Sequence, residues 1–357
     1  MKIALVFILS VLTLLFMLAC EQSKNHDIGD TREVVDIQGR TVVIPESVDR
    51  IFVDWPSGVT LPLTLGAADK LVVIQGQFHT EMHAWARIIV PELEHIPSEN
   101  APDSNIEVVL KYQPQVIFTN TVTTHIDDDW YTGIDIPVVT IGFDCMETFI
   151  QSMAIVGDVL GGQYKEAAER FNKFFYDNVT FVTERLMSLD VSDIMNIYYA
   201  DSRRSNALYT IGAGEIQENW INIAGGKLAT AEHFMGRNVD ITAEKFLSID
   251  PDIILVGGQN QAITYDLIVS DPILKELTAV RDGQVFRIPQ GIFPWCRTST
   301  EISLQVIWTA KLLHPDLFED VDIAQIAQGF YRDFFGTDVP DDYIARILEG
   351  RLSPSGD

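Results

Sequence analysis

Three arginines stand where they can hold an anion. Arg203 and Arg204 follow the β-branched and aromatic run 194–200, and Arg297 lies in the segment 293–299, Phe-Pro-Trp-Cys-Arg-Thr-Ser. A guanidinium offers charge-assisted, often bidentate donors to oxyanions and carboxylates. In an acidic chain the same side chains also serve as partners of surface carboxylates. Trp55, Trp85 and Trp295 present flat apolar faces, suited to a pocket wall or to plain packing. Ser57, Gln77, His79, Asn120 and Thr121 add hydroxyls, amides and an imidazole nearby in the sequence pattern. His79 and His83 are four apart, a spacing that can hold a metal. Glu81 sits at the third place rather than the second, however, so the His-Glu-x-x-His order of zinc proteases is not met. No Gly-x-Ser-x-Gly elbow, Walker loop or Gly-x-Gly-x-x-Gly after a strand is present, and Gly212-Ala-Gly214 reads as a turn. The residue types favour binding over catalysis.

These residues share a placement. In open α/β sheets ligands bind beyond the carboxyl ends of the strands. The runs 50–54, 70–74, 115–119 and 137–141 read as short buried strands of a first unit, and 194–200, 252–256 and 285–288 as those of a second. Residues 34–45 read as a hairpin ahead of them. Helices are expected over 59–66, 147–160, 215–224, 301–313 and 323–348.

One phrase is written twice, 137 residues apart. Glu107-Val-Val-Leu-Lys-Tyr-Gln-Pro114-Gln-Val-Ile117 returns as Glu244-Lys-Phe-Leu-Ser-Ile-Asp-Pro251-Asp-Ile-Ile254. Each copy reads as helix, proline stop and buried strand. Between them, residues 163–188 contain no Gly or Pro and are rich in helix formers, enough for a helix of about 39 Å. The expected fold is therefore α/β: two Rossmann-like lobes, 34–162 and 189–357 with a helical tail, joined by one long rigid helix over 163–188, with the ligand cleft between the lobes.

The remaining features set the compartment. Residues 1–19 have Lys2 followed by an apolar run, the pattern of a secretory signal. Met17-Leu-Ala-Cys20 resembles a bacterial lipobox, which implies acylation of Cys20 and a polar tether over 20–33; an uncleaved membrane anchor is the alternative. Removing residues 1–19 takes away Lys2 and no acid, leaving 24 basic against 51 acidic residues and a net charge of −27. A surface of that sign excludes nucleic acid as the partner. Cys145 and Cys296 remain in an exported protein; as loops of different lobes they are expected to be free thiols, because a bridge would lock the lobes together.

Arg50-Ile-Phe-Val-Asp-Trp-Pro-Ser57 through Leu65-Gly66, the two Glu-x2-Leu-x3-Pro phrases, Ala224-Gly-Gly226, 279–286 and Pro294-Trp-Cys-Arg-Thr-Ser-Thr-Glu301 resemble the substrate-binding proteins of ABC importers for iron–siderophore, haem and cobalamin. The resemblance implies a monomeric, non-enzymatic carrier without a cofactor. It delivers an iron chelate to a permease dimer with its ATPase subunits. In that setting Arg203, Arg204 and Arg297 meet the ligand's negative edge, Trp55, Trp85 and Trp295 its flat parts, and Gln77, His79 and Asn120 its polar groups. Glu107 and Glu244, one per lobe, are implied to dock on permease arginines. The family's first loop commonly carries a Glu that is absent from Pro56-Ser-Gly-Val-Thr60, so no glutamate contact is expected at that point. Two other readings stay open. A bare oxyanion such as molybdate, or a nickel chelate, would engage the same arginines, the oxyanion adding Ser57 and Thr121. A metal-dependent enzyme would be built around His79, His83 and His125.

Overall fold

The structure, a computed structural model, describes residues 30–80, 83–100, 105–120, 131, 133–204, 206–351 and 353. Cys20, Thr121 and His125 lie outside the described residues. The hairpin forms as expected, with β1 (Thr31–Val35) antiparallel to β2 (Thr41–Pro45). Its turn is built by Asp36, whose buried carboxylate accepts the backbone N–H of Gln38 and Arg40 while Gly39 takes φ +77°.

In the first lobe β3 (Ile51–Val53) is followed by a two-residue pair, β4 (Ile74–Gln75) and β5 (Ser98–Glu99), then β6 (Val116–Asn120) and β7 (Val138–Ile141). β6 lies between β3 and β7, all parallel. The strand expected over 70–74 is mostly absent. Residues 68–70 are a 3-10 turn, Leu71 makes a single parallel bridge to Ile51, and only Ile74 and Gln75 are extended.

The second lobe repeats this plan. β8 (Met195–Asp201), the short β9 (Tyr209–Thr210), β10 (Gly226–Leu228), the short β11 (Val239–Asp240), β12 (Ile253–Gly257) and β13 (Val285–Arg287) follow in order. The main sheet runs β10-β8-β12-β13, all parallel. Counting the Leu71 bridge, the first lobe has the same order: Leu71, β3, β6, β7.

The twice-written phrase supplies the central strand and one covering helix of each sheet. Helices Ile106–Lys111 and Ala243–Ile249 start on side-chain caps, Asn105 and Thr242, and bury Val109 and Phe246. Val109 packs with Phe52 and Ile117, whereas Phe246 packs with Tyr198 and Ile254. Both phrases turn into their strand through a residue in the left-handed region, Gln113 (φ +47°) and Asp250 (φ +39°), just before the proline.

Helix Gln163–Leu186 connects the lobes, ending two residues short of the expected limit. It packs on helix Met146–Leu160 of the first lobe and helix Ile302–Leu313 of the second. One apolar cluster runs through all three parts, from Ile51 and Val139 through Phe149, Phe171 and Val182 to Ile197 and Ile307. The tail is two helices, Ile323–Phe335 and Asp341–Leu348, divided at Gly336 (φ +67°) and Pro340, rather than one continuous run. This tail crosses back to the first lobe. Thr337 Oγ1 donates to Ile89 O at 2.8 Å, and on the way Phe334 meets Phe171 of the connecting helix edge-on.

Candidate functional site

The strongest convergence of charge lies at the carboxyl end of β8. Asp201, the last residue of that strand, has a fully buried side chain. Its neighbours are two guanidiniums. Arg203 donates from Nε to Oδ2 at 2.8 Å and its Nη2 forms an ion pair with the same oxygen at 2.8 Å, while Arg297 donates from Nη2 to Oδ1 at 3.0 Å. One carboxylate between two cations leaves the cluster one positive charge, against the acidic balance of the chain. The Arg203 and Arg297 side chains keep 34% and 20% of their surface exposed, so both retain donors outside the cluster.

Glycines at the end of β12 make this arrangement possible. A Cβ on Gly258 would fall 2.8 Å from Ser202 Oγ and 3.1 Å from Arg297 Nη2, and its φ of +106° already excludes other residues. A Cβ on Gly257 would strike the Tyr199 ring at 2.7 Å and Cys296 Sγ at 2.8 Å. Beneath the cluster the Tyr199 hydroxyl donates to Cys296 Sγ at 3.4 Å, and burial pushes that thiol's pKa up. Both Cys145 and Cys296 are free thiols, as expected.

The other expected residues divide between strand ends, core and surface. Trp55 and Ser57 follow β3, and Asn120 closes the adjacent β6. The two strand ends are joined by Asp54, which accepts from Thr119 Oγ1 at 2.5 Å and Tyr131 OH at 3.1 Å. Trp55 is half-buried, lying across Gly58 and edge-on to Phe143 at 4.9 Å. Gln77 and His79 are partly exposed on the 3-10 turn after β4.

Trp85 and Trp295 are core residues instead. Trp85 is 1% exposed, stacks edge-on against Tyr343 and donates its indole N–H to Arg351 O at 2.6 Å, while Trp295 is wholly buried. Arg204 stands apart from its neighbour. It pairs with Asp240 at 2.8 Å over the Tyr209 ring, and more than half of its side chain is exposed.

His83 is buried, tying the lobes together. Nδ1–H donates to Ile292 O at 3.3 Å and the ring stacks on Phe293 at 5.0 Å; burial lowers its pKa to about 4. The loop it touches is fixed from behind by Glu301. That carboxylate accepts the N–H of Ile292 and Phe293 at 2.9 and 2.8 Å and the Tyr331 hydroxyl at 2.7 Å. Among the described residues no cluster of three or more His, Cys, Asp or Glu could hold a metal ion. Asp201 and Glu301 were in plain view in the sequence, but nothing there marked them as the buried anchors of the two arginines and of the interlobe loop. The only trace was an acid two residues before an arginine at a strand end.

A sequence model of the family described as periplasmic binding protein matches residues 55–291, more than half of the chain. The chain belongs to that family. It is similar to the molybdate-binding protein MolA of Haemophilus influenzae, 23% identical over 337 residues that cover 88% of this chain and 94% of MolA. The solved structure of MolA bound to molybdate matches with a TM-score of 0.76 at 22% identity, covering 87% of this chain and 99% of that one. A periplasmic solute binding protein of Veillonella parvula matches with a TM-score of 0.76 at 21% identity, covering 90% and 97%. An ABC-type Fe3+-hydroxamate transport system protein of Saccharomonospora viridis matches with a TM-score of 0.60 at 15% identity, covering 79% and 99%. These structural likenesses establish the two-lobed fold. As a periplasmic binding protein the chain works outside the cytoplasm with an ABC importer, in a family of solute-binding proteins rather than enzymes. No helix among the described residues is long and apolar enough to cross a membrane.

Proposed function

We propose that this periplasmic binding protein captures a small tetrahedral oxyanion of the molybdate class and presents it to its permease. The observation that carries the reading is the Arg203–Asp201–Arg297 cluster at the end of β8, a preorganised cationic surface with donors to spare. Burial of Trp85 and Trp295 supports a small ligand, since two of the three aromatic faces expected against a flat chelate are in the core. The molybdate ligand of MolA points the same way. Arg203 and Arg297 hold the anion, and Ser57, Gln77, His79, Asn120 and Trp55 complete the cleft from the first lobe. Cys20 carries the lipid anchor, and Glu107 and Glu244 face the permease.

The test is a thermal-shift series on the detergent-solubilised full-length protein with molybdate, tungstate, ferric siderophores, haem, cobalamin and nickel chelates. A ligand at about one hundred times its Kd stabilises the fold by about 3 kcal/mol. Molybdate or tungstate should raise the melting temperature and the chelates should not. A shift with a ferric chelate alone returns the protein to the iron-carrier reading.

A further inference from the structure

The second lobe carries an apolar pocket apart from the arginine cluster, at the same end of its sheet. It is an open cavity of about 160 Å³. Its walls are Leu208, beyond the carboxyl end of β8, Ala243, at the start of helix Ala243–Ile249, and Leu267, Ile273 and Leu274. The floor is fixed. Leu274 is buried in the apolar cluster of Tyr198, Phe246 and Ile254, and Asp271 holds the turn by accepting the N–H of Ile273 and Leu274 at 2.7 and 3.1 Å. The rim is uncovered. Helix Gln261–Ser270 turns Thr264 and Ile268 to the core, while Ile263 and Leu267, four apart, share its outer face. Ile263, Leu267 and Ile273 are all exposed. A helix apolar on both faces, set beside an apolar pocket, marks a surface that a partner covers.

We propose that this pocket seats one apolar or aromatic side chain of the permease, as an uncharged anchor beside Glu244. The inference rests on the reading that Glu244 faces the permease. Position argues for that occupant. Ala243 of the pocket wall adjoins Glu244 in the chain. Asn260, just ahead of helix Gln261–Ser270, donates its backbone N–H to Ser202 Oγ at 3.0 Å, which fixes the start of that helix at the cleft end. The pocket therefore opens beside the mouth through which ligand is handed over. Size argues for a single side chain, since an apolar cavity of about 150 Å³ takes a benzene-sized group. Charge argues against a second copy of this chain, because such a pair brings two strongly acidic surfaces together. The two contacts differ in what they supply: a charge steers and orients the encounter, whereas a buried apolar anchor slows release.

The experiment measures binding of the detergent-solubilised full-length protein to its immobilised permease by biolayer interferometry, at about 0.05 M and about 0.3 M NaCl. No solute is added, so the outcome does not depend on which ligand is carried. Leu267→Ser with Ile273→Ser should weaken binding at least about tenfold, by the same factor at both salt concentrations. Glu244→Gln should weaken it more at low salt than at high salt. Met187→Ser with Val191→Ser removes exposed apolar side chains ahead of β8, at the opposite end of the sheet, and should leave the Kd within about twofold. An unchanged Kd in the pocket variant overturns the inference and leaves the Glu244 contact standing. A loss that fades with salt, or one that the Met187 and Val191 pair reproduces, also overturns it. Ile273→Ser alone, at an exposed turn, decides the matter if the double variant does not fold. Failure of the wild type to bind, or of Glu244→Gln to weaken binding at either salt concentration, removes the reading of Glu244 and this inference with it.

Discussion

At the residue scale, the most consequential side chain outside the arginine cluster is Glu301. Burial raises its carboxyl pKa to about 7, although the Tyr331, Phe293 and Ile292 donors favour the ionised form. A folded-state value above the ordinary 4.5 means that the folded protein binds this proton more tightly than the unfolded chain does. The resulting stability is fully present below about pH 4.5 and is lost as the pH rises through about 7, a change on the order of 3 kcal/mol. Glu301→Gln mimics the protonated carboxyl, so its stability should not carry this dependence. Urea denaturation at pH 5 and pH 8 should show the wild type losing on the order of 3 kcal/mol relative to the variant over that interval. Parallel behaviour of the two proteins would mean that Glu301 does not titrate in this range. Because the carboxylate holds the loop against His83, the same titration reaches the interlobe contact.

At the element scale, the twice-written phrase was the most legible part of the chain, and the structure sharpens it. The helix caps, the stop before proline and the buried strand follow from local spacing alone, so they could be read directly. The backbone of Gln113 and Asp250 could not, because a left-handed residue before proline is a property of the turn as a whole. The strain is shared but its compensation is not. Asp250 accepts the Thr278 N–H at 2.7 Å and Thr278 Oγ1 at 2.8 Å, while Gln113 offers only its backbone carbonyl, to Arg50 Nε at 2.9 Å. Gln113→Gly should therefore stabilise the protein by about 0.5–1 kcal/mol. Asp250→Gly should destabilise it by about 1 kcal/mol, since the lost hydrogen bonds outweigh the relieved backbone. Melting temperatures moving in opposite directions are the readout. The candidate site was less legible. The sequence placed Arg203 and Arg297 at strand ends, but it could not show that Arg204 turns away to Asp240, or that Trp85 and Trp295 fill core space. Those outcomes depend on contacts with residues 36 to 266 positions distant.

At the scale of the whole molecule, the repeat places one exposed glutamate at the first turn of an equivalent helix in each lobe. The turn into the strand reverses the chain, so each helix begins at the end of its sheet where the strands finish and the cleft opens. Glu244 is held ionised by its own backbone N–H and the Thr242 hydroxyl. Reversing both charges, Glu107→Arg with Glu244→Arg, should abolish transport in a vesicle uptake assay while calorimetry shows unchanged ligand affinity; loss of affinity as well would make the pair structural. The tail that crosses back has a consequence for how this protein folds. Trp85 and Ile89 of the first lobe receive their partners from Arg351 and Thr337, near the far end of the chain. That lobe precedes the tail in the chain, so these two hydrogen bonds form only when residues 337–351 are in place. Completion of the first lobe is thereby coupled to docking of residues 337–351 against it.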